Sequence, residues 1–254
     1  MNAVSDPELI ISDEAGARQW IAALPDVSRG TFDQLDRLAV LTAAESEKQN
    51  LVAASTLGPA FWCRHILDSA QLLRFAPQYG TTSTTQSATS SPTTSGGSWI
   101  DLGSGAGFPG IVVAIVAPCW AVTLVESRSL RCEFLARAVD DLGLSDRVTV
   151  RHCSVESLET RAHDVISARA FAPLERLLRV SAHLAGDKTR WLLPKGRNAA
   201  IELSTLAPLW QTAFEVQPSI TDGESQILVG RGRIVPRPKQ RKPKRRPNGT
   251  FKGK

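Results

Sequence analysis

The segment Trp99–Glu126, WIDLGSGAGFPGIVVAIVAPCWAVTLVE, restricts this chain more than any other. An apolar run, Trp99 to Leu102, breaks at a turn with glycine at positions 103, 105 and 107. An apolar segment follows from Ile111 to Ala117, and another, Ala121 to Val125, ends on an acid, Glu126. This reads as strand, glycine turn, helix, strand. Glycine adopts backbone conformations closed to other residues and lets the main chain approach a ligand. The helix start beyond the turn offers unpaired N–H groups at the positive end of a dipole. An acid at the tip of the next strand accepts hydrogen bonds from a ribose. The expectation is a nucleoside-containing cofactor held at this turn.

The pattern continues downstream. Apolar runs at 147–151, 164–167 and 190–193 alternate with helical patterns at 130–142 (closed by Gly143), 174–184 and about 199–206. Such alternation means parallel strands with crossover helices. Two last strands, 214–217 and 226–230, flank Asp222-Gly223 and read as an antiparallel pair. The expected fold is therefore α/β, a Rossmann-like sheet, mostly parallel with a C-terminal antiparallel hairpin. Ligands of such sheets bind outside the carboxyl ends of the strands.

Ahead of the sheet, residues 1–80 show helical rather than strand periodicity. Asp13 is placed to cap one helix, Thr31–Val52 forms a second pattern and Phe61–Phe75 a third. In the third, Arg64 and Asp68 are spaced to pair along one face, with His65 beside them. Residues 81–98 contain thirteen Ser or Thr and no charge, so a disordered insertion is expected there. The sheet domain is expected at 99–234 and a disordered basic tail at 235–254. From Pro236 to Lys254 there are nine Lys or Arg and no acid, so the net charge of +5 becomes +5 − 9 = −4 for the rest. A basic tail on an acidic body points to a polyanion partner. Four cysteines without a CxxC pair, and no paired histidines, suggest free thiols and no metal. No apolar stretch is long enough for a membrane span, and the N-terminus lacks the layout of a signal peptide. The expected setting is cytoplasmic, with no membrane partner, and the expected state a monomer.

Two cofactor classes compete at the turn. Gly105-Ala106-Gly107-Phe108-Pro109-Gly110 fits GxGxxG, the dinucleotide fingerprint. The frame is late, however, and Asp101 stands just before the loop, where a carboxylate repels a pyrophosphate. S-adenosylmethionine carries a sulfonium and an ammonium and no phosphate, so Asp101 and the early Gly103-x-Gly105 favour it. Glu126 lies nineteen residues beyond Gly107, close to the spacing of a ribose acid, and is assigned both hydroxyls. Arg169 follows the fourth strand, a place suited to a carboxylate or phosphate. Lys195-Gly196-Arg197 follow the fifth and suit a phosphate backbone, as does Arg64.

The elements RHILDS at 64–69, DLGSGAGFPGI at 101–111, VESRSLRCEFL at 125–135, SVES at 154–157, SARAF at 167–171 and LLPKGR at 192–197 resemble, in order, those of the GidB/RsmG family. These are bacterial S-adenosylmethionine-dependent methyltransferases of 16S ribosomal RNA that modify guanine at N7. The resemblance implies that Gly103 and Phe108 touch the cofactor, that Val155 and Glu156 hold its adenosine side, and that Arg169 also lies at it. It implies 16S rRNA or the 30S subunit as partner. A neutral guanine N7 loses no proton on methylation, so no general base is expected, and His65, Ser104 and Lys195 are candidates only for orienting the base. A small-molecule methyltransferase with the same loop and a non-enzymatic RNA-binding protein are the alternatives. The tail argues against the first and the intact cofactor positions against the second.

Overall fold

The computed structural model describes residues 10–77 and 96–233. The expected tail at 235–254 lies outside them, as does the expected insertion at 81–98 apart from its last three residues. Ser98 of that stretch already opens the first strand.

Two helices come first. In α1 (Glu14–Ala22), Asp13 caps the start by accepting from the Gly16 N–H at 2.7 Å. In α2 (Arg29–Ser46), a Ser28–Thr31 capping box opens the helix. It ends six residues short of the expected Val52, in a turn where Lys48 and Gln49 both donate to the Glu45 carbonyl. The third helical pattern is real but irregular. A π-helical segment, Trp62–Leu67, passes into α3 (Asp68–Ala70) and a 3-10 turn, Gln71–Arg74.

Strands β1 (Ser98–Leu102), β2 (Ala121–Glu126), β3 (Val148–His152), β4 (His163–Ser167), β5 (Ala185–Lys195), β6 (Phe214–Pro218) and β7 (Gln226–Arg231) form one sheet. Its order is β3-β2-β1-β4-β5-β7-β6. The first five run parallel, and β7 lies antiparallel between β5 and β6. The fold thus matches the expected class. Strand β5 is longer than the expected 190–193 because an irregular stretch beside His163 extends it back to Ala185. The crossovers are α4 (Gly110–Val116), α5 (Ser129–Asp141), α6 (Leu174–Ser181), α7 (Ala199–Ser204) and α8 (Pro208–Gln211). Pro109 stands just ahead of α4.

The pleat divides the strands between two cores. Trp99, Val122, Leu124, Val165 and Leu192 share one apolar cluster with α4 and the N-terminal helices. Ile100, Leu102, Val125, Ile166 and Trp191 share the other with α6 and α8. Adjacent residues face opposite sides because the strand period is two. Helix α4 is buried at every position. Gly110 allows this, since a Cβ there would collide with Leu124 and Asp101 beneath it. No helix among the described residues is long and apolar enough to cross a membrane.

The helical N-terminal stretch is sewn to the loop between β6 and β7 by Gln71, which is fully buried. Its carbonyl accepts from the Ile220 N–H at 2.9 Å, and its amide donates to Asp68 Oδ1 at 2.9 Å and Ser219 Oγ at 3.0 Å. Gln71→Leu leaves the half-buried Ile220 N–H without its acceptor. A loss of about 2 kcal/mol is expected in urea denaturation. A change under about 0.5 kcal/mol, typical of neutral surface substitutions, would contradict this role.

Candidate functional site

Two cavities open at the carboxyl ends of the parallel strands, where the fold rule places ligands. The smaller, about 270 Å³, is lined by Gly103 after β1, Glu126, Ser127 and Arg128 after β2, and Cys153 to Glu156 after β3. The larger, about 850 Å³, is lined by Arg64, His65 and Asp68 of the helical stretch, Arg169 to Pro173 after β4, and Pro194 to Gly196 at the end of β5. Ala170 and Phe171 line both.

The glycine turn is pinned to the end of β2. Gly103 and Ser104 both donate to the Val125 carbonyl, at 2.8 and 3.0 Å, and Gly107 donates to Ser104 at 2.7 Å. Gly103 has φ +68°, and any Cβ there would collide with the Phe171 ring. Only glycine meets both demands.

Glu126 organises the smaller cavity. Its Oε1 accepts from the Ser127 and Arg128 N–H groups at 2.7 and 2.9 Å, and its Oε2 from Gly105 at 3.1 Å. Arg131 adds a cation 3.8 Å away. A carboxylate has about four acceptor positions, so about one remains for a ligand. Gly105 serves the acid through its N–H and lines neither cavity. Val155 supplies an apolar wall to the same cavity and Glu156 an exposed edge.

Asp101 departs from its expected role. It shares a pleat face with Trp99, so its carboxylate points beneath α4 and is wholly buried. Ser167 donates to it at 2.7 Å, and Trp99 Nε1 donates to Ser167 at 2.8 Å. The Gly110 N–H lies 3.4 Å from its other oxygen. Its charge therefore acts on the loop from below and touches no cavity. Burial raises its pKa to about 6, against the opposing hydrogen bonds from Ser167 and Gly110. Ser104 is also turned inward, donating to the Asp101 carbonyl at 3.0 Å, and is no candidate for orienting a base in this arrangement.

Arg169 is the hub of the larger cavity. It donates to the Arg64 carbonyl at 3.0 Å and to His65 Nδ1 at 3.2 Å, and lies 3.4 Å from Asp68 Oδ2. Its guanidinium sits 5.3 Å from the centre of the Phe108 ring. Phe108 in turn stacks on His65 at 4.9 Å. Phe108 is buried and lines neither cavity. With Nδ1 accepting from Arg169, His65 Nε2 donates to Thr56 Oγ1 at 2.8 Å. Burial, with Arg169 and Arg64 nearby, holds the imidazole down at about 3. His65 is therefore neutral with both nitrogens engaged, and has no free atom with which to orient a base.

Two of the three expected cations are committed too. Arg64 pairs with Asp222 at 2.9 Å rather than with Asp68. The wider π-helical turn takes it off the four-residue register, and the β6–β7 loop supplies the nearer acid. Lys195 pairs with Glu202 at 2.8 Å. Arg197 is exposed and lines neither cavity. Phe171, Glu202 and Asp222 escaped the sequence reading because their partners lie on other elements.

The Asp101 shift has a testable sign. Its folded pKa, about 6, lies above the ordinary 3.8. Between those values the folded protein holds the extra proton, so this group favours folding at low pH and the contribution is lost as pH rises toward 6. Asp101→Asn should remove that slope. Relative to wild type, the variant is expected to gain about 2 kcal/mol of stability between pH 4 and pH 7.5 in urea denaturation. Parallel curves would contradict the assignment.

The comparisons agree with one another. A family model described as "GidB: rRNA small subunit methyltransferase G" matches residues 32–228. A protein of Sphingopyxis alaskensis named ribosomal RNA small subunit methyltransferase G is 48% identical over 236 residues, 93% of each chain. One of the same name from Rhizorhabdus wittichii is 47% identical over 91% of this chain and 98% of its own. Among solved structures, a mitomycin 7-O-methyltransferase shares the fold at TM-score 0.51 and 15% identity, over 91% of this chain and 76% of that one. By sequence over most of its length, this chain belongs to the GidB family of small-subunit ribosomal RNA methyltransferases.

Proposed function

We propose that this protein transfers a methyl group from S-adenosylmethionine to guanine N7 of small-subunit (16S) ribosomal RNA. The observation that carries the reading is the pairing of two cavities across one wall, Ala170–Phe171, in a chain of this family. The smaller cavity fits the adenosine half of the donor. Glu126 keeps an acceptor for a ribose hydroxyl, Val155 offers an apolar face for a base, and Gly103 brings the main chain to the wall. When bound, the donor supplies a methyl on a positively charged sulfur, open to a neutral nitrogen lone pair.

The residues of the larger cavity need only bind and orient. Arg169 presents a fixed positive charge at the junction, suited to a carboxylate. Asp68 lends negative charge to the side on which the base becomes cationic. A neutral His65 with both nitrogens engaged fits a reaction without a general base. The nine cations of residues 236–254 supply attraction to RNA phosphates.

Incubation with methyl-labelled S-adenosylmethionine and either 30S subunits or naked 16S rRNA, followed by mapping of the label, tests this. Label is expected at N7 of a guanine in one of the two substrates. Label at another atom, or in neither substrate, would overturn the reading.

A further inference from the structure

Lys195 stands at the rim of the base cavity, where a lysine invites assignment as a phosphate contact. Its surroundings say otherwise. The side chain is only 12% exposed, and its Nζ lies 2.8 Å from Glu202 Oε2. The same oxygen accepts from the Leu174 N–H at 3.1 Å, and Lys195 also reaches the Ala172 carbonyl at 3.5 Å. One charge pair thus grips the main chain at 172 and 174. Arg169 grips the other end of the same loop through the Arg64 carbonyl and His65.

Between these anchors the loop is strained. Ala170 has φ +52°, a conformation that costs a residue with a Cβ. Such a turn persists only when its neighbours over-determine it. Its product is the placement of Phe171, whose ring packs against Gly103 and forms the wall common to both cavities.

We propose that Lys195 and Glu202 are positioning residues: their ion pair holds loop 168–173 so that Phe171 stands as the partition between methyl donor and base. The pair acts through the loop and touches neither substrate. The inference rests on the rRNA methyltransferase reading above.

Hydrogen exchange of loop 168–173 in the free protein, and steady-state methylation of 30S subunits, are compared for wild type, Lys195→Met and Glu202→Gln. Both variants should speed exchange in the loop. Both should lower kcat by about 10- to 100-fold, the scale of a misplaced reacting group. KM for the subunit and the slope of log affinity against log salt should stay at wild-type values. A lysine bound to phosphate behaves differently: Lys195→Met then raises KM and reduces the slope by about 0.7–0.9, while Glu202→Gln leaves kcat and loop exchange unchanged. That pattern, or wild-type exchange in both variants, would overturn the proposal. If thermal melting shows that the pair variants do not fold, Phe171→Leu decides: kcat must fall with subunit affinity retained, and wild-type turnover refutes the partition. A wild-type protein that methylates no 30S would defeat the functional reading alone, since the exchange comparison still judges the anchoring.

Discussion

The buried chain Trp99–Ser167–Asp101 fixes the geometry on which the site depends. It links the centre of β1 to β4 and ends under the first turn of α4. A buried polar network of this kind is costly if any member lacks a partner and specific when all are satisfied. Here each member has one. The Asp101 carboxylate meets the Gly110 N–H at the start of α4, and Gly110 has no side chain to hold the helix away. Because α4 sits so close to β1, the glycine turn between them has little freedom. It closes over the end of β2, where Glu126 receives the Gly105 N–H.

The second half of the cleft is assembled from distant parts of the chain. Arg169, after β4, reaches back to the helical stretch 64–68, while Arg64 reaches forward to Asp222 in the β6–β7 loop. The helical N-terminal stretch therefore lines the larger cavity directly. Its charges are paired with other elements, Arg64 with Asp222 and Asp68 with Arg169, which leaves the cavity walls preorganised, and preorganised polar groups need no rearrangement as charge moves during a reaction. The basic run at 236–254 is a separate concentration of positive charge in the sequence.

Much of this was legible in the sequence. The strand–turn–helix–strand reading of 99–126 holds because glycine spacing and period-two apolar runs are local signals. The parallel order and the antiparallel last pair follow from alternation and from the Asp222-Gly223 turn. The facing of Asp101 was harder to read. Its proximity to the loop suggests a ligand contact, yet it shares the parity of Trp99, and parity sends it under the helix. The partners of Arg64, His65, Lys195 and Arg169 were not legible at all. Helical spacing proposed Arg64 with Asp68, whereas the true partner is 158 residues away. Local pattern has no access to such contacts, and they decide which cations remain available to a substrate.

The most direct test of the central claim is calorimetric titration of the protein with S-adenosylmethionine and, separately, with NAD. The account predicts one site per chain for S-adenosylmethionine, weakened strongly by Gly103→Ala, and no heat from NAD. Binding of NAD at the glycine turn, or S-adenosylmethionine binding that ignores Gly103→Ala, would contradict it.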